Sequence, residues 1–260
     1  MSERQRTEQQ PKAGRERPEG IDIRRAGSRF RTDTDWLDSH HSFSFGHHRD
    51  ADNTHHGLLL VSNDDTVVPS SGFQTHPHRD MEIVTWVLEG ELEHKDSVGN
   101  TDIIYPGLAQ RMSASRGIWH SEINPANESP VRFVQMWVVP DQAEIDPGYE
   151  QRDVRQELDR GRLIPIASGA GHDSAIRIQQ RDATLWAARV RAGSTLRLPP
   201  ADFGHLFIAV GEVSLEEVGV IGRGDAVRFT RADLGVVRAG AGGAEILYWQ
   251  MQSELEHWKS

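Results

Sequence analysis

The sequence predicts an all-β chain of two tandem domains, each of sandwich or barrel type. Three observations lead there. Short apolar runs rich in Val, Ile, Trp and Phe recur, each closed by Gly, Pro, Asn or Asp. They fall into two sets parted by a polar, acidic stretch. The 260-residue length gives each set about the size of an ordinary domain.

The runs of the first set are 57–63, 83–88 before Glu89-Gly90, and 131–139 before Pro140. They are too short and too β-branched for helices, and evenly spaced short strands with turn signals suggest a sandwich or barrel. The second set begins near Ala175 and includes 183–190, 195–198, 206–210, 213–215, 226–229 and 246–250. Between them, residues 141–162 carry Pro147-Gly148 and read as a connection with about one helical turn. Residues 1–20 hold almost no large apolar side chain, so burial cannot offset their ordering entropy and a disordered tail is expected. The expected division is therefore a tail at 1–20, a first domain at 21–140, the connection at 141–162 and a second domain at 163–260.

Composition narrows the function classes. With 37% hydrophobic and 26% charged residues the chain is globular. Cysteine is absent, which removes disulfides, thiolate metal sites and cysteine nucleophiles together and fits a reducing cytoplasm. A formal charge of −10 gives no long-range attraction to phosphate, so direct nucleic-acid binding is not expected. No apolar run approaches the roughly 18 residues of a membrane span, and the N-terminus shows no hydrophobic signal core. The expectation is a cytoplasmic monomer.

Thirteen histidines are present, ten of them between His40 and His120. Spacing separates the informative ones. On a strand, residues i and i+2 point to one face, so the imidazoles of His76 and His78 can meet one ion. His120 and Glu122 repeat the arrangement with an imidazole and a carboxylate, and Asp80 and Glu82 share the parity of His76. The adjacent pairs His40-His41, His47-His48 and His55-His56 cannot chelate together in extended chain and read as loop or core-edge residues. His94, His172, His205 and His257 stand alone and default to structure or surface.

These residues resemble the metal motifs of the cupin superfamily: Gly72, His76, His78, Glu82 and Gly90 for the first, Gly117-Ile-Trp-His120-Ser-Glu-Ile-Asn124 for the second. Within that superfamily the chain is similar to the pirin family. The match lies in the stretch from Asp35 to His48, in His76-Pro-His-Arg79, in Val87-Leu-Glu-Gly-Glu91 and in Arg116-Gly-Ile-Trp-His-Ser-Glu122. It is specific over 24–140 and thinner beyond. The resemblance implies a bicupin, two tandem cupin-type β-barrels with metal in the N-terminal one only. It places metal ligands on His76, His78, His120 and Glu122, and leaves Glu82 to orient an imidazole. Asp80-Met81 and Leu108 depart from the family pattern, which usually has Gly-Phe and Asp there.

Three imidazoles and a carboxylate suit one divalent ion with open positions; iron(II) comes first, and nickel, cobalt, copper, manganese or zinc also fit. The resemblance implies a quercetin 2,3-dioxygenase-like enzyme that cleaves flavonols with dioxygen and releases carbon monoxide, Glu122 serving as general base. Trp86, Trp119, Met112 and Phe45 are candidates to line an apolar pocket for the flat substrate. The alternatives are a non-enzymatic iron-binding, redox-sensing regulator with protein partners, and an oxygenase with another native substrate.

Overall fold

The computed structural model describes residues 20–255 apart from Ser174 and Glu217. Residues 1–19, the expected tail, lie outside the described residues. In chain order the strands of the first half are β1 (Ile21–Arg24), β2 (Phe30–Asp33), β3 (Leu37–His41), β4 (Leu59–Val67), β5 (Gly72–His78), β6 (Glu82–Glu89), β7 (Leu92–Asp96), β8 (Thr101–Ile104), β9 (Leu108–Ser113), β10 (Ile118–Ile123) and β11 (Val131–Val138). Then come β12 (Gly148–Asp153) and the single helical turn α1 (Arg155–Leu158), both inside the expected connection. The second half contributes β13 (Ile164–Ser168), β14 (Ile176–Arg177), β15 (Ala183–Val190), β16 (Thr195–Arg197), β17 (Phe203–Leu215), β18 (Gly219–Gly222), β19 (Ala226–Thr230) and β20 (Val236–Met251).

Three sheets result. A seven-stranded sheet runs β12-β9-β6-β11-β4-β3-β2, and a four-stranded sheet runs β5-β10-β7-β8. The nine-stranded third sheet is formed by the second half together with β1, which pairs antiparallel with β19. The all-β bicupin expected from the sequence is the fold the chain adopts. Its barrels are face-packed open sheets; strand pairing among the described residues closes none of them into a continuous ring. No helix among the described residues is long and apolar enough to cross a membrane.

The apolar run 83–88 gains its meaning from β6, buried along nearly its whole length. One face, Val84 and Trp86, joins Val134 and Met136 of β11 in a core shared with Leu185, Phe207, Leu247 and Trp249 of the second half. The opposite face, Ile83 and Val87, packs inside the first half. A strand covered on both sides reads as a continuous hydrophobic run rather than an alternation. Polar bonds stitch the same seam: Trp86 Nε1 donates to Glu245 Oε1 (2.8 Å) and Arg132 Nη2 to the Ala209 carbonyl (3.1 Å).

Candidate metal centre

The four-stranded sheet collects His76, His78, His120 and Glu122. β10 lies between β5 and β7, with His120 opposite His76 on one side and opposite Asp96 on the other. His76, His78 and His120 meet on one face, their ring centroids 4.5 Å (His76–His120), 4.8 Å (His76–His78) and 4.9 Å (His78–His120) apart. One nitrogen from each ring falls within 4.8 Å of the other two, close enough to hold one ion. Nε2 of His78 and Nε2 of His120 are buried with no hydrogen-bond partner among the described residues. Buried polar atoms are ordinarily satisfied, so two orphaned imidazole nitrogens in one cluster fit a metal's lone-pair requirement. His76 Nδ1 lies 2.7 Å from the Gln74 carbonyl and donates to it, which leaves its Nε2 lone pair free. Burial first, then the neighbouring imidazoles, lowers the pKa of His78 to about 4 and of His120 to about 3. Both are thus neutral near pH 7, the form that ligates metal.

Glu122 is buried beside the cluster. Its Oε2 accepts from Gln135 Nε2 at 2.6 Å and its Oε1 from Thr85 Oγ1 at 3.3 Å. Gln135 Oε1 in turn accepts from Trp137 Nε1 (3.0 Å), and the Trp137 ring stands edge-on to His78 at 4.8 Å. Gln135 and Trp137 share the inward face of β11, and Thr85 the inward face of β6. Glu122 also groups with His94 and His120, all three buried, so the two ligand-competent triads have His120 in common. The isolated position of His94 in the sequence assigns it only to structure or surface. Its place next to the cluster follows from β7 pairing with β10, where His94 sits opposite Glu122.

Glu82 behaves otherwise than expected. Its parity on β6 is that of Val84 and Trp86, so it points to the second half. Its Oε2 accepts from Ser113 Oγ (2.9 Å) and from the Gln179 backbone N–H (3.0 Å), and no imidazole among the described residues bonds to it. Asp80 is also drawn away. β5 ends at His78, Asp80 takes a left-handed backbone (φ 47°), and its Oδ1 accepts from the Glu144 N–H at 3.0 Å. A left-handed residue there explains why glycine is the family's usual choice. Of the four aromatic-pocket candidates, Trp86 and Met112 are core and Trp119 is 53% exposed on the opposite face of β10. Phe45 reaches the neighbourhood, with its ring 5.6 Å from Trp137, and Trp137 also packs against the core cluster that holds Met112. A surface groove of about 530 Å³ instead borders His76, lined by Trp36, Phe73 and Gln74. The Trp36 and Phe73 rings pack edge to face at 5.2 Å. The paired histidines keep to structural work: His41 stacks on Phe45 (5.0 Å) and bonds Thr32 Oγ1 (2.8 Å), and His48 stacks on Phe30 (4.4 Å).

Fold and side-chain cluster together define a cupin-type protein with a histidine-rich face in its first half. The sequence pattern of the family named Pirin matches residues 23–138. A Mycobacterium tuberculosis protein named "Putative quercetin 2,3-dioxygenase Rv0181c" is 55% identical over 236 residues, covering 90% of this chain and 96% of that one. An Escherichia coli protein named quercetin 2,3-dioxygenase is 41% identical over 160 residues, covering 62% of this chain and 68% of its own. The crystal structure of the E. coli bacterial pirin YhhW in complex with nickel(II) superposes with a TM-score of 0.80 at 30% identity, over 90% of this chain and 99% of that one. This chain belongs to the pirin family.

Proposed function

We propose that the protein is a metal-dependent dioxygenase that cleaves flavonols such as quercetin. The observation that carries this reading is the three-imidazole face with two buried, unpartnered Nε2 atoms. In this reading His76, His78, His120 and Glu122 hold the ion. The ion, iron(II) by preference or nickel as in the related pirin, supplies the dioxygen chemistry and favours a deprotonated flavonol. Glu122 takes the 3-hydroxyl proton of the substrate, its carboxylate held in register by Gln135 and Thr85. The Trp36–Phe73 groove beside His76 offers a flat, partly apolar bed of suitable size for a polycyclic phenol. The names of the mycobacterial and E. coli relatives support the same substrate class.

The test pairs metal loading with turnover. Protein loaded with iron(II) or nickel(II) should bleach quercetin aerobically and release one carbon monoxide per flavonol, whereas His76→Ala should take up no stoichiometric metal. Full metal retention by His76→Ala overturns the ligand assignment. Failure of iron-, nickel-, cobalt-, copper- and manganese-loaded protein alike to turn quercetin over overturns the enzymatic reading and favours a regulator.

A further inference from the structure

One buried histidine in the centre has no part in the mechanism above. The side chains of His94 and Asp96, both on β7, are wholly shielded from solvent. Asp96 is fixed from several directions: Oδ1 accepts from the backbone N–H groups of Val98 and Asn100, each at 3.0 Å, and Oδ2 accepts from Asn100 Nδ2 at 2.8 Å. Oδ2 also lies 3.2 Å from His94 Nε2. A carboxylate only accepts, so the proton of this bond sits on His94 Nε2. His94 Nδ1 then presents a lone pair, and it lies 3.4 Å from His120 Nδ1. Two facing imidazole nitrogens make a hydrogen bond only if one of them carries the proton, and His94 has already placed its own on the other side of its ring. His120 must therefore be protonated at Nδ1, which leaves its Nε2 lone pair exposed toward His76 and His78. That Nε2 is the atom left without a partner. The Tyr149 ring stacks on His94 at 4.9 Å and 30°, covering the pair.

We propose that Asp96 and His94 form a positioning relay that fixes the tautomer and orientation of His120 for metal binding. The relay does for His120 what the Gln74 carbonyl does for His76. It differs in reaching its acceptor through a second imidazole, which places a carboxylate two residues removed in space from the ion. Outer partners of this kind strengthen a ligand and hold its ring in one pose. Neither His94 nor Asp96 touches substrate in this scheme; both act through His120.

The inference rests on the reading of the imidazole face as a metal centre, and the experiment separates the two. In full-length zinc-loaded protein, long-range ¹⁵N NMR of the imidazoles should show His94 protonated at Nε2 with an unligated Nδ1, and His120 protonated at Nδ1. Nickel(II) affinity by competition with a chromophoric chelator is then compared between wild type and Asp96→Asn. The asparagine amide donates toward His94 Nε2, moves the His94 proton to Nδ1 and forces His120 to the wrong tautomer. An affinity roughly 10- to 100-fold weaker, with the His120 tautomer reversed, is expected. Equal affinity and unchanged tautomers in Asp96→Asn overturn the relay. So does a metal-shifted nitrogen on His94, which would make it a ligand instead. If Asp96→Asn does not fold, the wild-type spectrum still decides, since any other His94 tautomer refutes the proposal. If wild type takes up no metal, the metal-centre reading fails, and the relay is judged on the same tautomer pattern in the metal-free protein.

Discussion

Gln135 is the side chain on which the carboxylate of the centre depends most. It donates to Glu122 at 2.6 Å while its carbonyl oxygen receives the indole N–H of Trp137, so one amide fixes both an acid and the aromatic wall against His78. Gln135→Leu keeps the volume and removes both bonds. It leaves Glu122 Oε2 buried without a donor and Trp137 Nε1 without an acceptor, each worth about 1–3 kcal/mol of lost stability. Quercetin turnover by the metal-loaded variant should drop about 10- to 100-fold, while the three imidazoles still take up metal. Turnover equal to wild type in a folded, metal-loaded Gln135→Leu would remove Gln135 from the site. Gln135 was invisible in the sequence for a physical reason: nothing local to 131–139 tells which of its two faces looks at β10. The His76/His78 and His120/Glu122 pairs were visible because each is set by the two-residue period within one strand.

At the scale of the strand, the imidazole face exists only while β5 and β10 stay in close register, and Gly72 sets how close they come. A Cβ on Gly72 would stand 2.1 Å from the Glu122 carbonyl oxygen and 2.7 Å from the Ile123 Cα. Both are backbone atoms of β10 and cannot swing aside. Gly72→Ala should therefore pry the start of β5 off β10, destabilise the protein by about 1–3 kcal/mol and weaken nickel(II) binding by moving His76 and His78 from His120. Thermal unfolding and metal titration of the variant check this; unaltered values for both would show that β5 is not held at Gly72. The first glycine of the cupin-like motif thus has a steric meaning that its spacing alone did not give. Parity went only part of the way. It placed Glu82 with His76 by counting, but β6 is buried on both faces, and the face chosen for Glu82 is the one covered by the second half. His94 shows the same limit, since its role comes from the pairing of β7 with β10, a contact across 26 residues of chain. The exchange of β1 into the third sheet is the largest feature of this kind, because a four-residue strand carries no mark of its distant partner.

The two halves of the molecule are joined through a seam that is apolar but also carries cations, and this gives the whole protein a defined response to acid. Arg228 lies over the Phe43 ring at 4.2 Å and donates to Asn53 Oδ1 (2.7 Å) and the Ser42 carbonyl (2.5 Å), tying the second half to the first. Arg29 lies over Phe207 at 5.2 Å in the same region. Within reach of the Arg228 charge are His205, fully buried against Phe43, and His56, whose Nε2 lies 3.2 Å from the Phe229 carbonyl. Burial first, and then Arg228, lowers the pKa of His56 to about 4 and that of His205 well below its ordinary 6.5, opposed at His56 by the backbone of Phe229 and Gly204 and then by Asp22. In the folded protein both rings are therefore neutral at pH values where the unfolded chain has already taken up protons. A depressed folded pKa contributes stability that is complete above about 6.5 and is lost as pH falls toward 4. Each such proton steepens the loss by about 1.4 kcal/mol per pH unit within that window. In metal-free protein His78 and His120 add to it with the same sign, so metal loading should flatten the profile. The seam can be isolated by holding the metal state constant. Denaturant unfolding of metal-free wild type and His56→Gln between pH 7 and pH 4 should give a slope shallower by about one proton in the variant, because glutamine keeps the bond to Phe229 but cannot titrate. Parallel profiles for the two proteins would show that His56 stays as accessible to protons folded as unfolded, and the acid response would then have to be sought in His205 and the imidazole face.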